Sequence, residues 1–444
     1  MNDSIEAISV EQTRGFPFVF EIGLDPLRHM RKTIKLFFFL AMLALAFCFP
    51  ARRLLALDQA TAGGQAAPSP AGFQEFLQSL WPLAQQKGIA RGTFDSAFAG
   101  LAPDPALPAV SNKQAEFDKP LKAYLGEAVS ARRIARGRAC RQAWHAELAT
   151  IEQRFGVSAA IVLAAFGIET DYGKAQGGKD VIRSLATLAY SRQDRPVFRD
   201  ELISALVMLD KDGVARTSMK GSWAGAMGGP QFLPSAFLNY AVSFKEQGAP
   251  DIWSSTPDSL ASIANFLRQS GWQPGLVWGM EVILPKNFGF ASLHQSFAAF
   301  AGEGVKSAQG DAFPQGEATL FLPSGAAGPA FLLSSNYWVL KAYNNSDSYA
   351  LSLALLADRI EGKPALHGHW PEGEVFLSHT QKAEIQRLLE KLGLYHEDID
   401  GRFGQASRDA IHAFQISSGD SPADGFATPE LLGRLTAANG GTRQ

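Results

Sequence analysis

One carboxylate in the chain stands where a general acid of catalysis could work. Ser158 can cap a helix whose body, residues 161–168, is apolar on every face, and Glu169 follows at its end. A helix that is apolar all round is buried, and burial makes an ionised carboxylate costly. The negative end of the helix dipole disfavours that charge further. Both effects predict a raised pKa for Glu169, as a general acid near neutral pH requires.

The neighbours of Glu169 leave two interpretations open. Asp171 lies two positions further on and cannot share a helical face with Glu169, so the segment offers one perturbed carboxylate and no adjacent pair. The alternative to an acid–base role is a structural one, in which Glu169 forms a salt bridge with an arginine of the core. These residues alone do not decide between the two interpretations.

A glycine-rich segment brings together polar groups that suit an uncharged, polar substrate. Residues 221–229 contain four glycines in nine positions, a density that allows the backbone to approach a ligand closely and to adopt unusual dihedral angles. Ser222, Met227 and Gln231 add a hydroxyl, a thioether and an amide. The alternative is an ordinary glycine-rich loop. A phosphate-binding loop is excluded, because the Gly-Lys-Ser/Thr ending is missing.

A third segment, residues 343–349, places amides and aromatic hydroxyls directly before a helix. Tyr343, Asn344 and Tyr349 have side chains that can stack on sugar rings or form hydrogen bonds with them. By itself such a composition is more often a turn followed by a helix cap. The segment therefore acquires functional meaning only together with the other two.

Helical periodicity dominates the elements that must position these residues. From Phe73 onwards, apolar residues recur at spacings of three and four, which indicates amphipathic helices. The predicted helices cover residues 117–125, 129–155, 158–172, 197–209, 235–244, 257–270 and 349–360. Two short strands are predicted at 277–284 and 318–322. The main body is therefore expected to be mainly α with a small β insertion.

A separate small unit follows a linker rich in proline, glycine and histidine. The linker covers residues 363–374, and the unit covers residues 375–435. Its three predicted helices lie at 380–392, 405–416 and 428–435. An Asp-Gly turn precedes the second helix and another precedes the third. This duplication suggests two similarly built halves.

Composition and the N-terminus restrict the partners and the location of the protein. The 444 residues include 41 Lys and Arg against 43 Asp and Glu, so there is no strong positive field for nucleic acid. A basic segment, 29–35, precedes an uncharged apolar run, 36–49. This run is shorter than the about 20 residues of a membrane span and typical of a signal peptide. Residues 1–62 are therefore predicted to be an N-terminal extension with a signal peptide, and the mature protein to be periplasmic.

Two forms of membrane attachment are alternatives to a soluble exported protein. An uncleaved signal segment would act as a membrane anchor. A lipid anchor on Cys48 is disfavoured, because Phe47 stands where a lipoprotein signal needs a small residue.

The three segments together resemble a known enzyme family. Residues 168–173, 222–234 and 343–346 are similar, in order and spacing, to motifs of the membrane-bound lytic transglycosylase B family. The similarity extends over about residues 72–362. Residues 375–435, with their Asp-Gly turns and an Ala-x-x-x-Phe-Gln motif, resemble a peptidoglycan-binding type-1 domain.

The resemblance implies a lysozyme-like, α-rich catalytic domain at 72–362. The implied reaction cleaves the MurNAc–GlcNAc β-1,4 bond without water and leaves a 1,6-anhydro-MurNAc end. Glu169 would protonate the glycosidic oxygen and then remove the proton from the C6 hydroxyl that attacks C1. Because this nucleophile belongs to the substrate, no second carboxylate is needed, unlike in two-carboxylate glycosidases. The implied substrate-binding residues are Tyr124, Ser222, Met227, Gln231, Tyr343, Asn344 and Tyr349.

Two features depart from the family pattern. Some members bind calcium in a loop after the glutamine motif, but Lys245 and Gln247 stand here where oxygen ligands should alternate. We therefore predict no metal, and the resemblance implies no cofactor. Phe266 stands where the family often has an aromatic hydroxyl, which removes one sugar hydrogen bond but keeps the stacking surface.

Two alternative functions remain open at this point. One is a hydrolytic muramidase, for which Asp171 or Asp347 would be the second carboxylate. The other is a catalytically inactive peptidoglycan-binding or scaffold protein. For the leading interpretation we expect a monomer that acts on peptidoglycan glycan strands, with cell-wall synthesis or secretion complexes as candidate protein partners.

Overall fold

A computed structural model describes residues 70–107, 120–373 and 377–440. The predicted N-terminal extension and signal peptide, residues 1–62, lie outside these ranges. Within them the chain forms a large helical body, a small β-sheet inserted into it and a C-terminal helical unit. The predicted mainly α fold with a small β insertion is confirmed.

Helices make up most of the first half of the body. In chain order they are α1 (Pro70–Ser79), α2 (Trp81–Gln86), α3 (Arg91–Phe98), α4 (Leu121–Ala128), α5 (Ala131–Ala143), α6 (His145–Phe155), α7 (Ala159–Thr170), α8 (Val181–Ser191) and α9 (Val197–Lys211). Two short strands, β1 (Lys179–Asp180) and β2 (Lys220–Gly221), pair antiparallel. This pairing joins the residues before α8 to the start of the glycine-rich segment.

The predicted helices at 129–155 and 158–172 differ from the observed ones. The first is divided into α5 and α6, because Trp144 leaves helical geometry with φ −117° and ψ 31°. Its ring packs partly buried against the main core. The second, α7, ends before Asp171 and Tyr172, which adopt left-handed conformations with φ 50° and 61°. The apolar periodicity continues through both positions, so it does not predict these helix ends. The first helix is interrupted at the Trp144 ring, and the second ends at the left-handed pair Asp171 and Tyr172.

The inserted sheet lies between two pairs of helices. The chain continues through α10 (Pro234–Tyr240), shorter than predicted, and α11 (Thr256–Gln269), and then through β3 (Gly279–Ile283), β4 (His294–Ser296), α12 (Phe297–Gly302), β5 (Lys306–Ser307), β6 (Glu317–Phe321) and β7 (Ala330–Leu333). The antiparallel strand order is β4-β6-β7-β3-β5. The two predicted strands correspond to β3 and β6, and the sheet has a small hydrophobic core of its own.

The core of the helical body surrounds α7. After the sheet, α13 (Ser335–Tyr343) and α14 (Asp347–Glu361) return the chain to this core, and α7 packs against α5, α11 and α14. Among the described residues no single helix has the length and apolarity to cross a membrane. Only α6 and α7 taken together, with a bend of 110° between them, meet that criterion.

The C-terminal unit consists of α15 (His379–Lys391), α16 (Gln405–Ser417) and α17 (Pro429–Gly440) around a separate core. Two buried glutamines hold its Asp-Gly turns in the same way. Gln386 accepts a hydrogen bond from the backbone N–H of Gly401 at 2.8 Å, and Gln415 accepts one from Gly425 at 2.7 Å. The predicted similarity of the two halves is therefore visible in their hydrogen bonds.

Candidate active site

Glu169 lies at the buried end of α7. Ser158 caps this helix by accepting a hydrogen bond from the backbone N–H of Ile161 at 3.4 Å, as predicted. Every residue from Ala159 to Thr170 is buried, and Glu169 itself is 7% exposed. The sequence-based expectation of a carboxylate at the end of a helix that is apolar on all sides is thus confirmed.

A tight turn directly after Glu169 fixes the end of α7. The backbone N–H of Tyr172 donates to the carbonyl of Phe166 at 3.3 Å, and its hydroxyl donates to the carbonyl of Arg133 at 2.8 Å. The ring of Tyr172 crosses α7 at Gly167, where an added Cβ would lie 2.5 Å from the ring. Gly167 is therefore needed for close packing, and the turn holds Glu169 at a defined position.

Tyr349 makes the most direct contact with Glu169. Its hydroxyl donates a hydrogen bond to Oε1 of Glu169 at 2.6 Å. Tyr349 lies in the first turn of α14, where Ser346 caps the helix by accepting from the backbone N–H of Tyr349 at 3.4 Å. Burial, followed by the charge of Glu169, raises the pKa of Tyr349 well above its ordinary value. Tyr349 is therefore a neutral hydrogen-bond donor throughout the physiological pH range.

Tyr343 connects this pair to the glycine-rich segment. Its ring stacks on that of Tyr349 with a centroid distance of 6.1 Å and an angle of 15°. Its hydroxyl donates to the carbonyl of Pro230 at 2.6 Å. Phe266 packs edge-on against Tyr343 at 4.9 Å. The aromatic surface expected at position 266 is present, without a hydroxyl.

The glycines of the loop serve packing within the protein, and their expected close approach to a ligand stays a prediction. An added Cβ would lie 2.4 Å from the carbonyl oxygen of Ile252 at Gly228, and 2.5 Å from the hydroxyl of Ser259 at Gly229. The unusual dihedral angles are present, since Gly228 has φ +63°. Thr170 Oγ1 lies 3.2 Å from the carbonyl oxygen of Gly229. The glycines therefore let the loop pack directly on α11 and on the end of α7.

The polar residues of the loop differ in what they contact. Gln231 has a left-handed backbone with φ 53°, and its amide donates to the carbonyls of Gly228 at 2.9 Å and Gln176 at 3.1 Å. Ser222 accepts from the backbone of Ala226 at 3.1 Å. Met227 is fully buried. In the structure these side chains shape the loop, and their contacts with substrate stay a prediction.

Two further predicted residues lie close to the tyrosine pair. Asn344 directly follows Tyr343 and is 2% exposed. Tyr124 lies in α4 and is half-buried, and it is near enough to Tyr349 to contribute to the rise in that residue's pKa. The structure thus brings Tyr124 and Tyr343 from two other helices to Tyr349, which contacts Glu169, and Asn344 directly follows Tyr343 in the loop before α14.

Glu201, which was not predicted from the sequence, is a buried carboxylate that holds the start of α10, the helix after the glycine-rich loop. Glu201 lies in α9 and is 5% exposed. It accepts hydrogen bonds from the backbone N–H of Ser235 at 2.9 Å and from its hydroxyl at 2.5 Å. These bonds cap α10, which begins three residues after Gln231. In sequence, Glu201 looks like any polar residue of an amphipathic helix, so no local signal indicates this role.

The stability of the protein is expected to depend on the ionisation of Glu201. Burial raises the pKa of Glu201 to about 7, so between its unfolded value and pH 7 the folded state binds more protons than the unfolded state. The free energy of unfolding therefore falls as the pH rises through about 7, by up to about 3 kcal/mol from this group. We expect denaturant unfolding at pH 5 and pH 8 to show this loss in the wild type and much less of it in Glu201→Gln. An equal loss of unfolding free energy in the wild type and in Glu201→Gln would contradict the assignment of this pH dependence to Glu201.

The carboxylates in and after the segment for which no calcium binding is predicted, residues 243–251, accept hydrogen bonds from within the protein. Asp251 accepts hydrogen bonds from the backbone N–H groups of Trp253 and Ser254 at 3.0 and 2.9 Å. Asp258 accepts from Phe244 at 3.0 Å and from Asp251 at 2.9 Å. In the described ranges, no group of three or more His, Cys, Asp or Glu side chains has the arrangement of a metal site. The absence of calcium binding stays a prediction.

Calcium and chelators are expected to leave the protein unchanged. Because Asp251 and Asp258 already serve as acceptors for backbone N–H groups, a cation would have to break these bonds to bind. We expect the thermal unfolding midpoint to be the same in excess EDTA and in millimolar calcium chloride. A rise in the midpoint that follows the calcium concentration would show a site that the sequence and the contacts do not indicate.

Similarity to known proteins extends over both parts of the chain. The family described as "Transglycosylase SLT domain" matches residues 72–358, and a peptidoglycan binding domain family matches residues 378–435. Membrane-bound lytic murein transglycosylase B of Escherichia coli (strain K12) is 29% identical over 214 residues, 47% of this chain and 58% of that protein. The chain thus spans a little over half the length of this curated relative.

Solved structures show the same similarity at higher coverage. SltB3 from Pseudomonas aeruginosa, in complex with NAG-NAM-pentapeptide, is 40% identical with a TM-score of 0.75. The match covers 84% of this chain and 100% of that one. SltB1 from the same organism is 28% identical with a TM-score of 0.57, covering 66% of this chain and 98% of that one. Membrane-bound lytic murein transglycosylase B and these solved structures are thus similar to the chain in sequence. The chain therefore belongs to the lytic transglycosylase family that has the SLT domain, and it carries a C-terminal peptidoglycan-binding domain.

Proposed function

We propose that this protein is a peptidoglycan lytic transglycosylase, a carbon–oxygen lyase that cleaves the MurNAc–GlcNAc β-1,4 bond and forms a 1,6-anhydro-MurNAc end. The observation that carries the proposal is the buried Glu169 at the end of α7, held by the hydroxyl of Tyr349 at 2.6 Å. SltB3, the 40% identical relative, was also solved with NAG-anhNAM-pentapeptide bound, which supports the anhydro product.

The reaction needs one group that first gives and then takes a proton. The carboxylic acid of Glu169 protonates the glycosidic oxygen, the bond from C1 to that oxygen breaks, and the GlcNAc-containing strand leaves. The resulting carboxylate removes the proton from the C6 hydroxyl, whose oxygen forms a bond to C1. Because Tyr349 donates to Oε1, the proton of the acid form resides on Oε2. Tyr349 thereby sets the direction of proton transfer.

The contacts of the two candidate second carboxylates favour a transglycosylase over a hydrolytic muramidase. Asp171 pairs with Arg136 and lies 3.9 Å from Arg132. Asp347 pairs with Lys341 and with Arg408, each at 2.8 Å. Arg408 and Lys341 hold the pKa of Asp347 well below its usual range, which makes it a weak base. Asp347 is therefore unsuited to activate water as a second catalytic group, and Asp171 is already engaged by Arg136.

The catalytically inactive scaffold is disfavoured by the geometry around Glu169. A scaffold has no need for a buried carboxylate, whose burial costs stability. Here two stacked tyrosines, Tyr343 and Tyr349, surround it. Tyr124, Ser222, Met227, Gln231, Tyr343, Asn344 and Tyr349 are proposed as the substrate-binding residues.

Domain organisation and location follow from the same proposal. Residues 72–362 form the catalytic domain, 363–374 the linker and 375–435 the peptidoglycan-binding domain. Residues 1–62 form the N-terminal extension with its signal peptide, and the mature protein is located in the periplasm. There it acts on glycan strands as a monomer. Export is supported by the basic and apolar pattern of residues 29–49.

Mass spectrometry of the muropeptides that the purified protein releases from sacculi tests the proposal. Products lighter by one water than the hydrolytic muropeptides, with anhydro-muramyl ends, are expected. Reducing ends would instead identify a muramidase. If the protein bound sacculi but released nothing, the scaffold function would replace the enzymatic one.

A further inference from the structure

A buried cluster of charges joins the C-terminal domain to the catalytic domain. Asp347 Oδ1 lies 2.8 Å from Lys341 Nζ, and Asp347 Oδ2 lies 2.8 Å from Arg408 Nη1. The three side chains are only 10 to 14% exposed. The hydroxyl of Tyr337 lies 3.3 Å from the same Oδ1. Both oxygens of one carboxylate are thus used, one by the catalytic domain and one by the C-terminal domain.

The cluster residues of α13 and α14 are close along the chain to the two tyrosines at Glu169. Lys341 is two residues before Tyr343 at the end of α13, and Asp347 is two residues before Tyr349 at the start of α14. The ion pair between Lys341 and Asp347 therefore closes the loop that connects the two helices. Tyr349 lies in the first turn after this loop, and its hydroxyl donates to Glu169.

Arg408 is well fixed for this contact. It lies in α16, and its guanidinium covers the ring of Phe321 in β6 at 4.7 Å from the centroid. A guanidinium that stacks on a ring and binds a carboxylate has little freedom to move. By contrast, the neighbouring residue Asp409 binds His294 at 2.7 Å where both side chains are more than 40% exposed. The same helix thus makes a buried ion pair with the catalytic domain at Arg408 and an exposed one at Asp409.

We propose that Arg408 is a positioning residue of the active site, which fixes Asp347 and thereby keeps the hydroxyl of Tyr349 on Glu169. This inference rests on the proposed transglycosylase function. Without Arg408, Oδ2 of the buried Asp347 loses its hydrogen-bond partner, and a buried carboxylate moves to regain one. The first turn of α14 moves with it. The peptidoglycan-binding domain is then a structural part of the active site as well as a contact with the wall.

A double-mutant cycle of Arg408 and Tyr349 tests the proposal. Arg408→Met keeps the apolar stem that lies on Phe321 and removes the guanidinium. On a soluble peptidoglycan tetrasaccharide, we expect it to lower kcat about tenfold while KM changes less than about twofold. In the Tyr349→Phe background the same substitution should lower kcat by less than about twofold, because the contact through which it acts is already missing.

Two further variants separate positioning from general docking of the domains. Asp409→Asn removes the exposed contact with His294 from the same helix, and its kcat should equal that of the wild type. Arg408→Lys keeps the positive charge but lacks the planar guanidinium with its several N–H donors. It should therefore recover part of the kcat that Arg408→Met loses. Circular dichroism shows whether Arg408→Met is folded. If it is not, Arg408→Lys takes its place in the double-mutant cycle, and its effect on kcat should show the same dependence on Tyr349.

Three outcomes would overturn the proposal. They are a wild-type kcat in Arg408→Met, an equal loss in Arg408→Met and Asp409→Asn, and a loss in Arg408→Met that is the same with Phe at 349 as with Tyr. Failure of the proposed function is distinguishable from these, because it would appear in the unsubstituted protein as an absence of anhydro-muramyl products.

Discussion

Glu169→Gln is expected to lower the release of anhydro-muropeptides by about a thousandfold, within the range attributed to general acid–base catalysis. The amide can neither protonate the glycosidic oxygen nor remove the proton of the C6 hydroxyl. It keeps the shape of the side chain, and its oxygen can still accept the hydrogen bond of Tyr349. The rate is measured as anhydro products released from sacculi per unit time, and binding to sacculi is measured by co-sedimentation.

The matched control is Glu152, a carboxylate of α6 that contacts the opposite end of α7. Glu152 accepts a hydrogen bond from the backbone N–H of Ala159, the first residue of α7, at 3.3 Å. Glu152→Gln should keep the wild-type rate, and both variants should bind sacculi as the wild type does. Residual cleavage by Glu169→Gln within tenfold of the wild type would mean that another residue carries the proton transfers.

Asp347→Asn is expected to lower the free energy of unfolding by about 3–5 kcal/mol at neutral pH, the usual effect of removing one partner from a buried ion pair. Lys341 and Arg408 would then share a buried site without their counter-charge. Burial alone would raise the pKa of Asp347, but Arg408 and Lys341 outweigh it and hold the pKa well below its usual range. Denaturant unfolding of both proteins measures the difference.

The pH dependence of this difference has a defined sign. A carboxyl group whose pKa is lowered in the folded state stabilises the protein above its unfolded pKa and loses this effect as the pH falls. The gap between the wild type and Asp347→Asn should therefore be full at pH 7 and narrow below about pH 4. Asp194→Asn, at an ion pair in which Asp194 is 65% exposed, serves as control and should change the stability little. If the difference in unfolding free energy between the wild type and Asp347→Asn did not change with pH, it could not come from the ion pairs of Asp347.

Much of the fold could be predicted from the sequence because helices and strands are encoded by residues close together in the chain. The apolar run before Glu169 predicted a helix buried on all sides, and α7 is one. Ser158 predicted its start, because a hydroxyl at that position can accept from the first free N–H groups. The strands β3 and β6 and the three helices of the C-terminal unit were predicted by the same local patterns.

Other features depend on which elements pack together, and no local pattern contains that information. The break at Trp144 depends on the core against which the ring packs. No local pattern indicated that Gly228 and Gly229 allow close contact with Ile252 and Ser259. Periodicity describes one face of one helix. It does not say which other helix will cover that face.

The sequence by itself singled out the candidate acid and the groups around it: one carboxylate, Glu169, at the end of an apolar helix, with hydroxyls and amides in two further segments. Only the tertiary structure decided how that carboxylate is held. Tyr349 is 180 residues away along the chain from Glu169, and Arg408 is 61 residues beyond Asp347. Contacts at such separations arise when helices and domains pack, because a hydrogen bond or ion pair depends on distance in space and not on distance along the chain.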